Sequence, residues 1–196
     1  MEYLTTPDTP FERRPYEELD AENQELWRMV KARTGQATHV EVMAVHPALD
    51  NFYSKEFYPR FYYNTQGEML VPYQEKELFR LRLSRRNGCA LCNAGNVETM
   101  LEAGYSQAQV DHVLEPTSEF YSDKELALID FADLFVQGQQ DLLSRELHAR
   151  LRQHYSDAAI LELGVVGAFF MGWQRMLFAF DLTPHEENGV CSLAAE

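Results

Sequence analysis

Positive charge is scarce in this chain. Its 17 lysines and arginines are outnumbered by 31 aspartates and glutamates, for a formal net charge of −14. Such a surface repels phosphate backbones and anionic lipid, which argues against nucleic-acid and membrane-surface partners. Long apolar runs are missing as well: the most apolar stretch, Leu163 to Trp173, is bounded by Glu162 and by Gln174-Arg175 and is too short to span a bilayer. The first residues, MEYLTTPDTPFERRPYEEL, have no basic region followed by an apolar run. No signal peptide is expected, and the expected compartment is the cytoplasm. No segment of useful length alternates apolar and polar residues, and no glycine-rich loop follows a strand pattern, so β folds and phosphate-loop enzymes drop out. Cysteines number only three, an odd count. At 196 residues and 45% hydrophobic, the chain can bury a core in one domain without disulfide staples.

What is present is helix after helix. Residues 1–15 carry three prolines without apolar periodicity and are expected to form an extended arm. A stripe of Leu19, Leu26, Met29 and Val30 predicts a helix ending near Gly35, and Thr38 is a candidate cap for a short one. His46-Pro47 marks the next start. The aromatic run Leu49, Phe52, Tyr53 and Phe57 follows until Pro59 stops or kinks it, leaving Tyr58, Phe61, Tyr62 and Tyr63 as helix end and loop. Pro72 opens a central segment that Asn87-Gly88 stops, and a second one from Cys89 ends at Gly104. Ser106-x-x-Gln109 and Ser122-x-x-Glu125 fit the capping box. The helix headed by Ser122 is expected to close at Gly138. Ser144 caps another helix, and Ser156 starts a run to about Phe180 that is apolar on nearly every side, as suits a core helix or one covered by another subunit. The fold class is all-α: a single-domain helical bundle of roughly seven to nine helices over residues 16–182, with a loose tail at 183–196.

Chemistry concentrates in EKELFRLRLSRRNGCALCNAGNVETM. Two thiols spaced Cys89-x-x-Cys92 stand on one helix face a turn apart and can close a disulfide or share a metal. At a helix N-terminus the unpaired N–H groups and the macrodipole favour thiolate. Two small buried residues would give the same pattern, but in a reducing compartment the spacing points to catalysis or metal binding. Zinc needs about four ligands, and no second CxxC or His-x-x-x-His completes the set, so no metal is expected. Cys191 is lone and near the terminus. Glu77, Leu81 and Ser84 recur three to four residues apart, which predicts that Glu77 faces the packed side while Lys76 and Arg80 face outward. A carboxylate there can serve as a base; a solvated Glu paired with Arg80 is the plainer alternative. The histidines weighed within the folded region, His46, His112, His148 and His154, read as surface or capping residues, His46 as a helix cap. The aromatic cluster from Phe52 to Tyr63 reads as core and subunit interface, with the option of lining an entrance to the cysteines.

Glu77-x11-Cys89-x-x-Cys92, with RLRLSRRNGCALCNAG around it and EAGYSQAQVDHVL after it, resembles the carboxymuconolactone decarboxylase superfamily in its alkylhydroperoxidase D-like branch. His46-Pro47-Ala48-Leu49, Ser122-x-x-Glu125 and Tyr155-Ser156-Asp157-Ala158 with Leu161-Glu162-Leu163 extend the resemblance over most of residues 40–182. It implies an all-helical, usually homo-oligomeric subunit that reduces peroxides with a thiol pair and needs no cofactor beyond a redox-active Cys89–Cys92 disulfide. Cys92 would attack the peroxide and become a sulfenic acid, which Cys89 would resolve. A dithiol reductant would regenerate the pair. Glu77 would match the base, working through a histidine four residues after the second cysteine; here that position is Asn96.

The departure has a geometric consequence. If the two helices fold back about Gly88, Glu77 lies about 16 Å down one and Asn96 about 12 Å down the other, from a rise of about 1.5 Å per residue. A Glu side chain and one water can cover that offset. Asparagine can hold a water but cannot carry a proton as imidazole does. The expectation is therefore a slow thiol peroxidase acting on organic hydroperoxides, with a redox-active CxxC. Two alternatives stay open. One is a decarboxylase-type lyase acting on a small carboxylic acid, with Arg82, Arg85 and Arg86 as the nearest basic cluster. The other is a non-catalytic redox sensor.

Overall fold

The computed structural model describes residues 7–136 and 142–183. Gly138, Cys191 and the tail beyond Thr183 lie outside the described residues. Residues 7–15 run without helix. Along the way the Arg14 N–H donates to the Glu41 carbonyl at 3.0 Å, and Phe11 packs on Phe180 with ring centroids 4.6 Å apart.

After a 3-10 turn at Tyr16–Glu18, nine α-helices follow among the described residues, with no strands. Helix α1, Ala21–Thr34, is capped by the Asp20 carboxylate and closed by Gly35 in the left-handed region at φ 82°, a conformation glycine adopts without strain. Helix α2, Thr38–Met43, starts one residue earlier than expected: Ala37 occupies the cap position and makes no side-chain bond. Helix α3, Pro47–Asn51, is capped by His46, whose Nδ1 accepts the Leu49 N–H at 3.2 Å.

The next segment departs from the sequence-based expectation. Pro59 does not stop the helix; Phe52–Tyr62 is a continuous π-helical segment with the proline inside it. The Tyr63 N–H reaches back five residues to the Tyr58 carbonyl at 2.7 Å. An α-helical turn would drive the proline ring into the carbonyl four residues earlier, and the wider turn relieves that clash.

Helices α4, Tyr73–Asn87, and α5, Ala90–Glu102, form an antiparallel hairpin about Gly88, which is left-handed at φ 67°. Short α6, Gln107–Asp111, carries the full Ser106/Gln109 capping box. Helix α7 spans Asp123–Val136, with Ser122 and Glu125 satisfying each other's N–H groups. Ser144 caps α8, Arg145–Arg152, and Ser156 caps α9, Asp157–Ala179.

Helix α4 is central, packed against α5, α7 and α9, and every residue from Lys76 to Ser84 is buried. Lys76 and Arg80 therefore do not face outward as the sequence predicts. Enclosed on all sides, α4 has no outer face. Lys76 is fully buried and meets Glu162 of α9 at 2.7 Å and the Phe61 carbonyl at 2.9 Å. Arg82 forks onto Asp133 of α7 at 2.7 and 2.6 Å. Glu162 also accepts the backbone N–H groups of Leu70 and Val71, so the ion pair fixes the loop that leads into α4.

Helix α9 buries Leu163, Val166, Phe170 and Leu177 against this core and leaves Leu161 and Val165 exposed. By length and composition it could cross a bilayer, but its most apolar window is 44% buried inside the fold. Gly167 lets α9 approach α7: a Cβ there would sit 2.9 Å from the Phe135 ring.

Because Glu162 would be left buried without its counter-ion, Lys76→Met should destabilise the protein by about 3–5 kcal/mol, read from urea midpoints. A loss under about 1 kcal/mol would mean that the pair adds nothing to the fold.

Candidate active site

The α4–α5 hairpin organises the site. Gly88 turns the chain, Cys89 becomes the N-cap of α5, and its Sγ accepts the Cys92 N–H at 3.2 Å. Cys92 falls in the first turn, where helix N–H groups and the macrodipole stabilise a thiolate. The two sulfurs are bonded, with Cα atoms 5.2 Å apart. Cys89 is fully buried, whereas Cys92 is half-buried and lines a cavity of about 440 Å³. That volume is in the range that holds small organic ligands.

The cavity lies between α1, the π-helical segment, α4, α5 and α9. Its walls are mostly apolar and aromatic: Leu26, Met29, Tyr53, Tyr58, Tyr63, Phe170 and Trp173 among them. Tyr53 stacks on Trp173 at 4.1 Å, and its hydroxyl lies 3.3 Å from that of Tyr58. Burial pushes the Tyr63 hydroxyl up to about 12, with Arg80 pulling the other way, and raises Tyr53 and Tyr62 well above their ordinary range. All three remain neutral hydrogen-bond donors at physiological pH.

Glu77 is fully buried behind this wall and does not line the cavity. Tyr62 donates to its Oε1 at 3.0 Å and Thr99 to its Oε2 at 2.7 Å, and Arg80 stands 3.5 Å away. Arg80 also donates to the Thr99 hydroxyl at 3.1 Å. A chain of contacts thus runs Arg80, Thr99, Glu77, and only its first two members line the cavity. Asn96 reaches the cavity too, but its Nδ2 donates to the Ser84 hydroxyl at 2.9 Å and toward the Arg80 carbonyl at 3.5 Å. It ties α5 to α4 and makes no direct bond to Glu77.

Thr99, not Asn96, therefore stands opposite Glu77. The signal was in the sequence: Glu77 and Thr99 lie eleven residues either side of Gly88, and Arg80 and Asn96 eight. A symmetric hairpin about that glycine pairs them level with one another. Sequence reasoning also passed over His39. Its ring stands at the cavity wall, and its Nδ1 is buried with no hydrogen-bond partner among the described residues. Burial alone holds its pKa down, to about 4. Of the histidines that were weighed, none lines the cavity; His46 caps α3, His112 stacks on Phe120 at 3.9 Å, and His148 pairs with Asp157 at 3.0 Å. Among the described residues no group of His, Cys, Asp and Glu is arranged to hold a metal.

No family model matches the chain. Its likeness to solved structures is extensive. An uncharacterized peroxidase-related protein with an AhpD core from Ralstonia eutropha superposes with a TM-score of 0.66 at 16% identity, over 97% of this chain and 99% of that one. The AhpD-like fold is the fold of this chain. The debrominase Bmp8 in complex with 2,3,4-tribromopyrrole superposes with a TM-score of 0.69 at 17% identity, over 93% and 95%. An Agrobacterium tumefaciens protein, a candidate AhpD of antioxidant defence, gives 0.54 at 24% over 60% and 80%. In sequence, the uncharacterized protein YdfG of Bacillus subtilis is 26% identical over 106 residues, 53% of this chain and 71% of its own length. The AhpD-like fold is the all-helical fold that the motif resemblance implies.

The depressed pKa of His39 has a consequence for stability. Between the ordinary value of 6.5 and about 4, the unfolded chain takes a proton that the folded chain refuses. The contribution of His39 is therefore full above 6.5 and is lost as pH falls toward 4. Urea midpoints measured from pH 7 to pH 4 should fall more steeply for the parent than for His39→Gln; parallel curves would mean that the ring is not enclosed.

Proposed function

We propose that the protein is a thiol-dependent peroxidase that reduces organic hydroperoxides with Cys92 and Cys89. The observation that carries this reading is the position of Cys92 in the first turn of α5, open to an aromatic-walled cavity, with Cys89 bonded to it from the buried side. The Cys92 thiolate attacks the terminal peroxide oxygen; an S–O bond forms as the O–O bond breaks, and an alcohol leaves once its alkoxide gains a proton. The Cys89 thiol then attacks the sulfenic sulfur, an S–S bond replaces the S–O bond, and water departs. An external dithiol returns two electrons to the pair. A protein of this kind works in a reducing compartment such as the cytoplasm.

Cavity size and lining favour an organic hydroperoxide over hydrogen peroxide, which would leave most of the apolar wall uncovered. Asn96 itself transfers no proton, since its amide holds Ser84. Against the lyase alternative, none of Arg82, Arg85 and Arg86 lines the cavity; Arg82 is forked on Asp133, and Arg86 stands 3.6 Å from the same carboxylate.

A second reading has one observation behind it, the fold shared with a debrominase over 93% of the chain. The same pair could reduce a small haloaromatic, two thiols and one carbon–bromine bond giving a disulfide, a carbon–hydrogen bond and hydrogen bromide. The stacked Tyr53 and Trp173 would flank a flat ring.

The test is to treat reduced protein with one equivalent of cumene hydroperoxide or of 2,3,4-tribromopyrrole and to map the cysteines by mass spectrometry. The peroxidase reading expects a Cys89–Cys92 disulfide with the hydroperoxide, slowed by Cys92→Ser and Cys89→Ser and accelerated about 10-fold or more by Asn96→His. Bromide release would favour the second reading. A disulfide that forms without turnover in excess dithiol would leave a redox sensor, and thiols that stay reduced with both reagents would end all three.

We further propose a homo-oligomer, because exposed Leu161 and Val165 lie a turn apart on α9. Light scattering is expected to give a multiple of 22.7 kDa; a monomer would contradict this.

A further inference from the structure

The thiol chemistry above leaves one requirement unmet, a group that moves the proton. Cys92 must lose one before it attacks, and the departing alkoxide must gain one. Asn96 cannot carry it, and Glu77 lies behind the wall, engaged by Tyr62, Thr99 and Arg80. The two carboxylates at the cavity rim, Glu22 and Glu25, point to solvent, Glu22 beside Lys55 at 3.6 Å and Glu25 beside Arg28 at 4.0 Å.

His39 is differently situated. It sits on α2 between the buried residues Thr38 and Val40. Val40 belongs to a small apolar cluster with Leu19, Val30, Ala37 and Ala44, and Leu91 packs against that cluster. Leu91 immediately precedes Cys92, and His39 and Cys92 both line the one cavity. Among the described residues, His39 is the one histidine lining it. Its buried Nδ1 has no hydrogen-bond partner among the described residues, so no neighbour fixes the ring's tautomer through that nitrogen.

We propose that His39 is the acid–base residue of this cavity, supplying from α2 the proton transfer that Asn96 cannot supply from α5. The proposal rests on the thiol-peroxidase reading. The His39 imidazole takes the proton of the Cys92 thiol, the thiolate displaces alkoxide from the hydroperoxide, and the imidazolium gives the same proton to the alkoxide. The sulfur loses two electrons and the O–O bond gains them; the histidine ends as it began. The imidazolium formed in that transfer has the Cys92 thiolate as its counter-ion.

The experiment uses reduced full-length protein carrying Cys89→Ser, so that oxidation stops at the Cys92 sulfenic acid. It compares His39 with His39→Gln, His39→Asn and His39→Ala in single turnover with cumene hydroperoxide. Both polar variants should oxidise about 100-fold more slowly, and added imidazole should restore part of the rate to His39→Ala. Iodoacetamide alkylation of Cys92 at pH 10, where hydroxide ionises the thiol, should be unchanged, which separates lost proton transfer from a damaged site. Variants that oxidise as fast as the parent overturn the proposal. If the parent itself fails to react with hydroperoxide, the peroxidase reading falls. His39 is then judged by Cys92 alkylation at pH 7: slower in His39→Gln supports its role as base, and equal rates refute it.

Discussion

The charges buried along α4 constrain everything near the site. A helix carrying Lys76, Glu77, Arg80 and Arg82 cannot occupy the centre of a fold unless each charge meets a partner there, because an unpaired buried ion costs several kcal/mol. Each partner comes from a different neighbour: Glu162 on α9, Asp133 on α7, Thr99 on α5 and Tyr62 on the π-helical segment. Satisfying the four together leaves little freedom in how those elements surround α4. The cavity is the space left over on the side where Arg80 emerges.

That arrangement divides the site into a buried back and a front open to the cavity. The back holds Glu77 and Cys89, both fully buried. The front holds Cys92 among tyrosines, Trp173 and the first helices of the chain. The electrostatics of the Cys92 position come from the hairpin, through the N-terminus of α5 and the N-cap role of Cys89. The π-helical segment presents Tyr53 and Tyr58 to the cavity, and its C-cap Tyr63 lines it too; in the proposed function these rings select the substrate. The N-terminal helices contribute His39 and close the cavity over the thiols.

Much of the fold could be read from local signals. Gly35, Gly88 and Gly104 are left-handed stops, Ser106, Ser122, Ser144 and Ser156 cap helices, and the two cysteines open α5 as their spacing implies. What local pattern missed depends on three dimensions. Lys76 and Arg80 read as outward-facing because polar residues usually are, and only the enclosure of α4 by α5, α7 and α9 reverses that. Pro59 reads as a break because a proline breaks an α-helix; the π geometry that accommodates it has no signature in single-sequence propensity. Of the site, Cys89, Cys92 and Glu77 were accessible from spacing. Thr99 and Arg80 were accessible only through the hairpin register, and His39 not at all, since its place on the cavity wall depends on how α2 packs in three dimensions.

The central claim is that the cavity delivers an organic substrate to Cys92. It is tested most directly by the second-order rate constants with which the reduced protein consumes cumene hydroperoxide and hydrogen peroxide, followed in stopped flow by the fluorescence of Trp173, which lines the cavity. Burying one aromatic side of the substrate against these walls is worth about 1.5–3 kcal/mol, so the account predicts a preference for cumene hydroperoxide of about 10- to 100-fold. Equal rates, or a preference for hydrogen peroxide, would contradict it.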